Sequence, residues 1–389
     1  MELITSKKTE NTLNICFNGR IDSANAAQAE ADIFKIIGEN LGVNYIIDAE
    51  NLEYISSAGL RVILRMRKEN PELKIINAST EVYEILDMTG FSEMIPVEKA
   101  YRHLSVDGCD IIGKGAKGAV YRYNADTIIK VYFDSDSLPA IQRERELARK
   151  AFVLGIPTAI SYDVVKVGDK FGSVFELLDA KSYSQMILED SDNFSKYVKE
   201  FANLLRTIHS TQVKADDMPD VKILVNKWLD ATSKVLEPDV QAKIEKLVAN
   251  TPDTLNMLHS DYHTNNIMMQ NGETLLIDMD TLSHGHPIFE LANVYITYVG
   301  FGEVDPTNVE NFIGFSYENA KRFWREFIPV YLDTTDEERI KEVEKKARLL
   351  SCVRNIRHIS RREGIDNPGV TYFKNELSKI VDEVDSLDF

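Results

Sequence analysis

Three glycines, and the residues that follow them, constrain this chain most. Gly113-Lys114-Gly115-Ala116-Lys117-Gly118-Ala119-Val120 fits the spacing G-x-G-x-x-G-x-V. A helix after such a loop, with an acid about 20 residues on, would open a dinucleotide-binding βαβ unit. Here the next run, Ala119 to Tyr123, is strand-like, and Ile111 sits in an apolar stretch before the loop. Strand, glycines, strand is the order of a β-hairpin folded over phosphates. Lacking Cβ atoms, its glycines let backbone N–H groups approach phosphate oxygens. Gly113, Gly115, Gly118 and Val120 are therefore candidate nucleotide-binding residues.

The following strand, Ile128 to Phe133, carries Lys130 inside an apolar run. An ammonium buried there is costly without anionic partners. The α- and β-phosphates of ATP and a helix carboxylate would serve. Glu144 is the candidate carboxylate, because Leu147, Ala148 and Ala151 lie three, four and seven positions beyond it on the same helix face. Glu146 is the rival, although Arg149 and Lys150 share its face. A solvated charged helix would also explain Arg143-Glu144-Arg145-Glu146.

Farther on, His259-Ser260-Asp261-Tyr262-His263-Thr264-Asn265-Asn266 fits H-x-D-x-x-x-x-N. Twelve residues later an apolar run ends in Asp278-Met279-Asp280. Asp261 can orient an acceptor hydroxyl and take its proton. Asn266 and Asp278 offer hard oxygen ligands for Mg²⁺, which neutralises charge on the β- and γ-phosphates. Asp280 either touches a second Mg²⁺ or binds backbone. His259 reads as a structural hydrogen-bonding residue, and His263 and His286 as local structure. No His/Cys spacing suggests zinc.

With these motifs in this order, residues 110–389 resemble the kinase-like phosphotransferases that include aminoglycoside phosphotransferases and choline kinases. The resemblance implies an α+β two-lobed protein-kinase-like fold with ATP between the lobes. The β-rich N-lobe would span 110–181 and the helical C-lobe 182–389. It implies Asp261 as catalytic base and Asn266 and Asp278 as metal ligands. It makes Phe175 to Leu178 the hinge whose backbone reads adenine, so Glu176 and Leu178 join the cofactor-binding residues. The family pattern G-D-x-x-x-D-L-A reads Gly285-His286-Pro287-Ile288-Phe289-Glu290-Leu291-Ala292, which keeps a carboxylate at 290. Within it, Phe289-Glu290-Leu291-Ala292 begins about a dozen residues after Asp278, too soon for the long activation loop of protein kinases. Ser260 stands where H-R-D has its Arg. Both features favour a small hydroxyl-bearing molecule as acceptor.

The first 100 residues alternate strand and helix signals. Leu13, Ile15 and Phe17 alternate with polar neighbours as in a half-buried strand. Ser23 is read as the cap of a first helix, 43–47 as a buried strand, and 73–76 as a third strand. A short loop should lead into a helix starting near Ser57 and stopped by Pro71, and Thr80 should cap a last helix. A phosphate on Ser57 would meet the free N–H groups and dipole of a helix N-terminus; a plain helix cap is the other reading. The element order, Gly19-Arg20-Ile21-Asp22 and Tyr54-Ile55-Ser56-Ser57-Ala58-Gly59-Leu60 resemble the STAS domain of anti-sigma factor antagonists, an α/β fold. That resemblance implies Ser57 as phosphoacceptor, where many members carry Asp just before the serine. It also implies an anti-sigma factor or another STAS-binding protein as partner. Residues 1–100 would form this domain and 101–109 a linker.

Composition narrows the partners. With 45 Lys+Arg against 62 Asp+Glu and a net charge of -17, nucleic acid and anionic membrane are poor partners. Cys16, Cys109 and Cys352 form no CxxC pair and suggest no disulfide framework. No signal segment or 20-residue apolar run is visible, which points to the cytoplasm. The expected function is ATP/Mg²⁺-dependent phosphotransfer to a small hydroxyl compound, fused to a regulatory STAS domain. The alternatives are a regulatory protein serine kinase acting on Ser57 or on partner-switching proteins, and a nucleotide-sensing module without transfer.

Overall fold

Burial alternates along Thr12–Ile21: Leu13, Ile15 and Phe17 are buried, while Asn14 and Cys16 between them are not. The segment is a strand with one face in a core. The computed structural model describes residues 2–8, 12–40, 42–115, 117–178 and 180–389. Ala116 of the glycine loop lies outside the described residues. By contacts the chain divides into one unit of residues 1–105 with 164–169, and another of 106–163 with 170–389.

The first unit runs β1 (Ile4–Lys8), β2 (Thr12–Ile21), α1 (Ala26–Glu39), β3 (Asn44–Ile55), α2 (Ser57–Glu69), β4 (Ile75–Ala78), α3 (Thr80–Met88), α4 (Phe91–Met94), β5 (Val97–Lys99) and β6 (Arg102–His103). Strands β1 to β5 lie side by side in chain order, antiparallel between β1 and β2 and parallel thereafter. Ile15, Ile47 and Ile75 form the middle of the core, with Ala29 and Ile33 of α1 and Ile63 and Met66 of α2 packed in.

Several local expectations are corrected. No loop precedes Ser57: β3 continues to Ile55 and turns directly into α2. The cap of α2 is Ser56, whose hydroxyl accepts from Gly59 N. Ser79, not Thr80, caps α3 by accepting from Val82 N. Ser23 caps nothing; Asp22 and Asn25 make the turn before α1, with Asp22 N donating to Asn25 Oδ1 and Ala24 N to Asp22 Oδ1, both at 2.9 Å. Gly59 is required by close approach. A Cβ there would lie 2.6 Å from Ile55 Cγ1 and 2.8 Å from Ile21 Cγ2.

The chain continues with β7 (Asp110–Lys114), β8 (Gly118–Arg122), β9 (Thr127–Tyr132), α5 (Leu138–Val153), β10 (Asp163–Val167) and β11 (Lys170–Glu176), all in the second unit except residues 164–167 of β10, which count with the first. Antiparallel ladders join β7 to β8, β8 to β9 and β9 to β11. Then come β12 (Lys181–Ser182), α6 (Tyr183–Glu189), α7 (Phe194–Ser210), α8 (Val221–Thr232), α9 (Pro238–Asn250), β13 (Met257–Leu258), β14 (Ile267–Gln270), β15 (Glu273–Leu276) and β16 (Ser283–His284). Helices α10 (Ile288–Tyr298), α11 (Thr307–Ile313), α12 (Tyr317–Leu332), α13 (Glu337–Glu363) and α14 (Pro368–Ile380) complete it. The result is a sheet-rich part followed by a helical part.

Helix α7 shows why the helical part holds. Phe194, Tyr197, Val198, Phe201, Ala202, Leu205 and Ile208 are buried at three- and four-residue spacing. Each large side chain contributes roughly 1.5–3 kcal/mol by leaving water. Phe201 packs edge-on against Phe323 and Phe327 of α12 and meets the Tyr262 ring at 4.4 Å. Tyr262 is buried, and its hydroxyl donates to Phe201 O at 2.9 Å. The segment 259–266 is thus fastened to the helical core from beneath. Among the described residues, no helix is long and apolar enough to cross a membrane.

Candidate active site

A cavity of about 700 Å³ lies within the second unit. Gly115, Gly118, Val120, Lys130, Glu144, Glu176, Leu178, Asp261, Asn266 and Asp278 all line it. Gly113 does not. It sits in the β7–β8 ladder opposite Val120, where a Cβ would be 3.7 Å from the Val120 side chain. Ser57 belongs to the first unit and is exposed at the first position of α2.

The hairpin is fixed by backbone. Gly115 N donates to Gly118 O at 2.9 Å and closes the turn. A Cβ on Gly118 would fall 2.4 Å from Val131 O, so only glycine lets β8 pair closely with β9 there. Register then sets Lys130 opposite Val120 on one side and Ser173 on the other.

Lys130 Nζ is 3.1 Å from Glu144 Oε1 and 2.8 Å from Asp278 Oδ1. Glu144 is the partner; Glu146 pairs instead with Lys150 at 2.9 Å. Tyr132 steadies Glu144, its hydroxyl donating to Oε2 at 2.8 Å. Burial works to lower the Lys130 pKa, but the Glu144 and Asp278 carboxylates outweigh it and raise it. For Asp278 burial works upward, yet Lys130 and Lys117 hold the carboxyl below its ordinary value. Burial leaves Glu144 raised in spite of Lys130.

Asp261 is 36% exposed at its side chain and has His263 Nε2 at 3.6 Å and an Arg354 guanidinium nitrogen at 3.9 Å. Burial would raise its pKa, but His263 and Arg354 prevail and depress it well below the usual carboxylate range. Asn266 Nδ2 donates to Asp261 O at 3.0 Å, which leaves the amide oxygen as an acceptor. Ser260 and Asp278 both hold positive φ, +65° and +61°. Such backbone needs support from its surroundings.

At Ser260, Glu290 gives that support. It is fully buried, and its Oε1 and Oε2 accept from Ser260 N at 2.5 Å and His259 N at 2.7 Å. His209 Nε2 lies 3.0 Å from Oε2. Asn293, one helical turn on, donates to Ser260 O at 3.0 Å and itself takes a hydrogen bond from Arg354. His286 plays no part in this scaffold; its Nε2 meets Asp388 at 3.1 Å. His259 departs from expectation, since neither ring nitrogen has a hydrogen-bond partner among the described residues. It serves instead through its backbone, with its carbonyl accepting from Thr281 Oγ1 at 2.8 Å.

Three contributors escaped the motif reading. Lys117 pairs with Asp280 across the cavity, so Asp280 binds a side chain rather than backbone. Arg354 arrives from α13, 93 positions after Asp261. Asn293 has no signal beyond its place one turn after Glu290. Glu144, Asp278 and Asp280 bring carboxylate oxygens within 4.8 Å of one another. The donor set around Asp278 and Asn266 is all hard oxygen, which suits Mg²⁺ and not a thiolate- or imidazole-seeking ion.

The sequence matches the phosphotransferase enzyme family over residues 109–327 and the STAS domain over 4–104. A putative anti-sigma factor antagonist, BtrV of Bordetella bronchiseptica, is 35% identical over 100 residues, which are 24% of this chain and 84% of the relative. Among solved structures, the gentamicin complex of the aminoglycoside phosphotransferase APH(2")-IIa is 16% identical, covering 76% of this chain and 95% of that one, with a TM-score of 0.44. A choline/ethanolamine kinase family protein from Mesorhizobium loti is 14% identical, covering 72% and 89%, with a TM-score of 0.42. The chain belongs to the phosphotransferase enzyme family and carries a STAS domain of the anti-sigma factor antagonist kind ahead of it.

Proposed function

We propose that residues 110–389 transfer the γ-phosphate of ATP, with Mg²⁺, to a hydroxyl of a small molecule, between a lobe over 110–181 and a lobe over 182–389. The convergence of Lys130, Asp261, Asn266 and Asp278 on one cavity carries this reading. Lys130, kept in place by Glu144, holds the α- and β-phosphates, and the backbone around Gly115 and Gly118 cradles them, with Gly113 shaping the hairpin. Val120 covers the base, and the backbone from Glu176 to Leu178 reads adenine. Asn266 and Asp278 would hold Mg²⁺, which supplies charge neutralisation at the phosphates. Asp261 orients the acceptor hydroxyl and takes its proton. The acceptor oxygen bonds to the γ-phosphorus as the bond from that phosphorus to its bridging oxygen breaks, giving a phosphate ester and ADP. Asp261, its pKa held low by His263 and Arg354, is ionised at neutral pH and can orient the acceptor hydroxyl.

The test is phosphate transfer from labelled ATP to a panel of hydroxyl compounds by the full chain and by Asp261→Asn. Turnover should fall at least about 10³-fold with nucleotide affinity kept. An Asp261→Asn chain as active as wild type ends the reading.

One observation favours a second reading of the first unit. Ser57 is exposed, and its hydroxyl has no hydrogen-bond partner among the described residues. It is free to accept phosphate, which would add nearly two charges to a surface for an anti-sigma factor or similar partner in the cytoplasm. Label on Ser57, abolished by Ser57→Ala, would make the chain a regulatory serine kinase.

A further inference from the structure

Helix α13 is two helices electrostatically. In its first half every long cation except Arg339 has an acid. Lys341 pairs with Glu338 at 3.1 Å, Lys345 with Glu383 at 2.6 Å, Lys346 with Glu342 at 2.5 Å, and Arg348 with Glu376 at 2.8 Å and Glu303 at 3.2 Å. From residue 349 to 362 the helix contains no Asp or Glu, yet carries Arg354, Arg357, His358, Arg361 and Arg362. Positions 354, 357, 358 and 361 repeat at three- and four-residue spacing and share one face. Arg354 is committed to Asn293 and Asp261. Arg357, Arg361 and Arg362 have no carboxylate partner among the described residues. From its own helix, Glu363 acts on His358.

The helix dipole accounts for cations in the last turn, hence for Arg361 and Arg362. It does not account for Arg357, which is half-buried and lies a turn and a half earlier. Burial and Arg361 lower the Arg357 pKa, and burial with Arg362, Arg354 and Arg357 lowers that of His358. Crowded, partly desolvated cations without an anion carry an unmet electrostatic cost. No residue of the stripe lines the cavity itself, but aromatic rings link His358 to it. The His358 ring lies 5.8 Å from Phe301, Phe301 5.7 Å from Phe312, and Phe312, which lines the cavity, 4.9 Å from His263.

We propose that the acceptor carries a phosphate or carboxylate besides its reacting hydroxyl, and that Arg357 and Arg361 bind that anion. The proposal rests on the reading of Asp261 as the base. At 1.5 Å rise per residue, Arg357 and Arg361 are roughly 5 and 10 Å along the helix from Arg354, which faces Asp261. That spacing suits a compound of a few carbons with a hydroxyl at one end and the anion at the other. In a chain of net charge -17, an anionic substrate needs such a local positive site to approach at all.

The test uses the full chain with Mg²⁺ and a non-hydrolysable ATP analogue, titrated calorimetrically. The probes are 3-phosphoglycerate, glycerol 3-phosphate and glucose 6-phosphate, against uncharged glycerol and glucose and cationic choline. At least one anion should bind tenfold or more tighter than its uncharged parent. Arg357→Gln/Arg361→Gln should weaken it at least tenfold, and Lys341→Gln on the same helix by less than twofold. Should the double variant not fold, the exposed Arg361→Gln alone must weaken the anion, and wild-type binding must fall as salt rises. Equal binding of anions, parents and choline, or an unaffected Arg variant, overturns the proposal. So does label from ATP on Ser57 with none on any compound. If the anion binds as expected yet Asp261→Asn transfers phosphate to it at the wild-type rate, the anion site stands and the role of Asp261 falls.

Discussion

The two units present their chemistry in opposite ways. In the first, the residue of interest is one exposed serine on the first turn of α2, positioned by local backbone. In the second, the cavity is assembled from eight stretches between Lys114 and Phe312 and braced by α13. A locally built site costs little to change and little to keep. A site built over long separations depends on buried charges that tolerate few substitutions. The largest consequence concerns Asp261, exposed enough to meet an acceptor but held by neighbours. Asp261→Asn should reduce turnover about 10³-fold or more while moving the melting temperature little, and Ser57→Ala should leave turnover unchanged. Equal losses in both would erase the distinction between the units.

The next effect separates reacting groups from their scaffold. Glu290 is buried with two backbone N–H donors and His209 around it. Glu290→Gln turns one accepting oxygen into a donor that faces another donor. A cost of about 3 kcal/mol is expected for the charge-assisted bonds lost and the group left unmet. Thermal unfolding should report it together with a fall in kcat. A lost kcat with unchanged stability would mean that Glu290 acts in the chemistry and not beneath it.

Glycine substitutions compare the units at matched geometry. In Gly118→Ala the new Cβ meets backbone oxygen of Val131 at 2.4 Å, and in Gly59→Ala it meets Ile55 and Ile21 side chains at 2.6 and 2.8 Å. Neither obstacle is a flexible chain end, and Ile is stiff at χ1. Each should destabilise by about 1–3 kcal/mol, although alanine favours helix over glycine by about 1 kcal/mol. Only Gly118→Ala should raise the KM for ATP. Calorimetry with two resolved transitions would assign each loss to its unit.

A smaller effect is legible in pH. The Asp278 pKa is depressed in the folded state. Its contribution is therefore present above the unfolded value of about 3.9 and is lost as pH falls through the folded one. Any stability lost in Asp278→Asn through the pairing with Lys130 should shrink as pH falls below about 4. A difference that grows there would reverse the assigned sign.

How much could be read from sequence divides along the same line. The glycine hairpin, Lys130 and the two acidic loops were legible because each carries its chemistry within a few residues. Glu144 was singled out by helical spacing, and the structure pairs it with Lys130. The bracing was not legible. Asn293 and Arg354 act across 33 and 93 positions on Ser260 and Asp261, and such separations leave no local period. Nothing local to Lys117 in the sequence signals its ion pair with Asp280, 163 positions on. In the first unit β2, α1, β3, α2, β4 and α3 were legible in order, but the short or edge elements β1, α4, β5 and β6 were not, and caps were misplaced by one or two residues, since Ser, Asn and Asp neighbours all compete for the same N–H groups.

That competition supplies the smallest prediction. Ser56 and Ser57 are adjacent and chemically identical, but only Ser56 Oγ accepts from Gly59 N, at 3.5 Å. Such a long bond is weak, so Ser56→Ala should cost about 0.5–1 kcal/mol, the low end for a capping serine. Ser57 spends no hydroxyl on the helix, and Ser57→Ala should change stability by less than about 0.5 kcal/mol. Chemical denaturation of both variants decides it. If Ser57→Ala proves the costlier, Ser57 is the cap, and its hydroxyl would have to leave the helix N-terminus before any kinase could reach it. If the order is as expected, the fold leaves Ser57 for a partner, and phosphate there would gain the N–H groups that Ser56 does not fill.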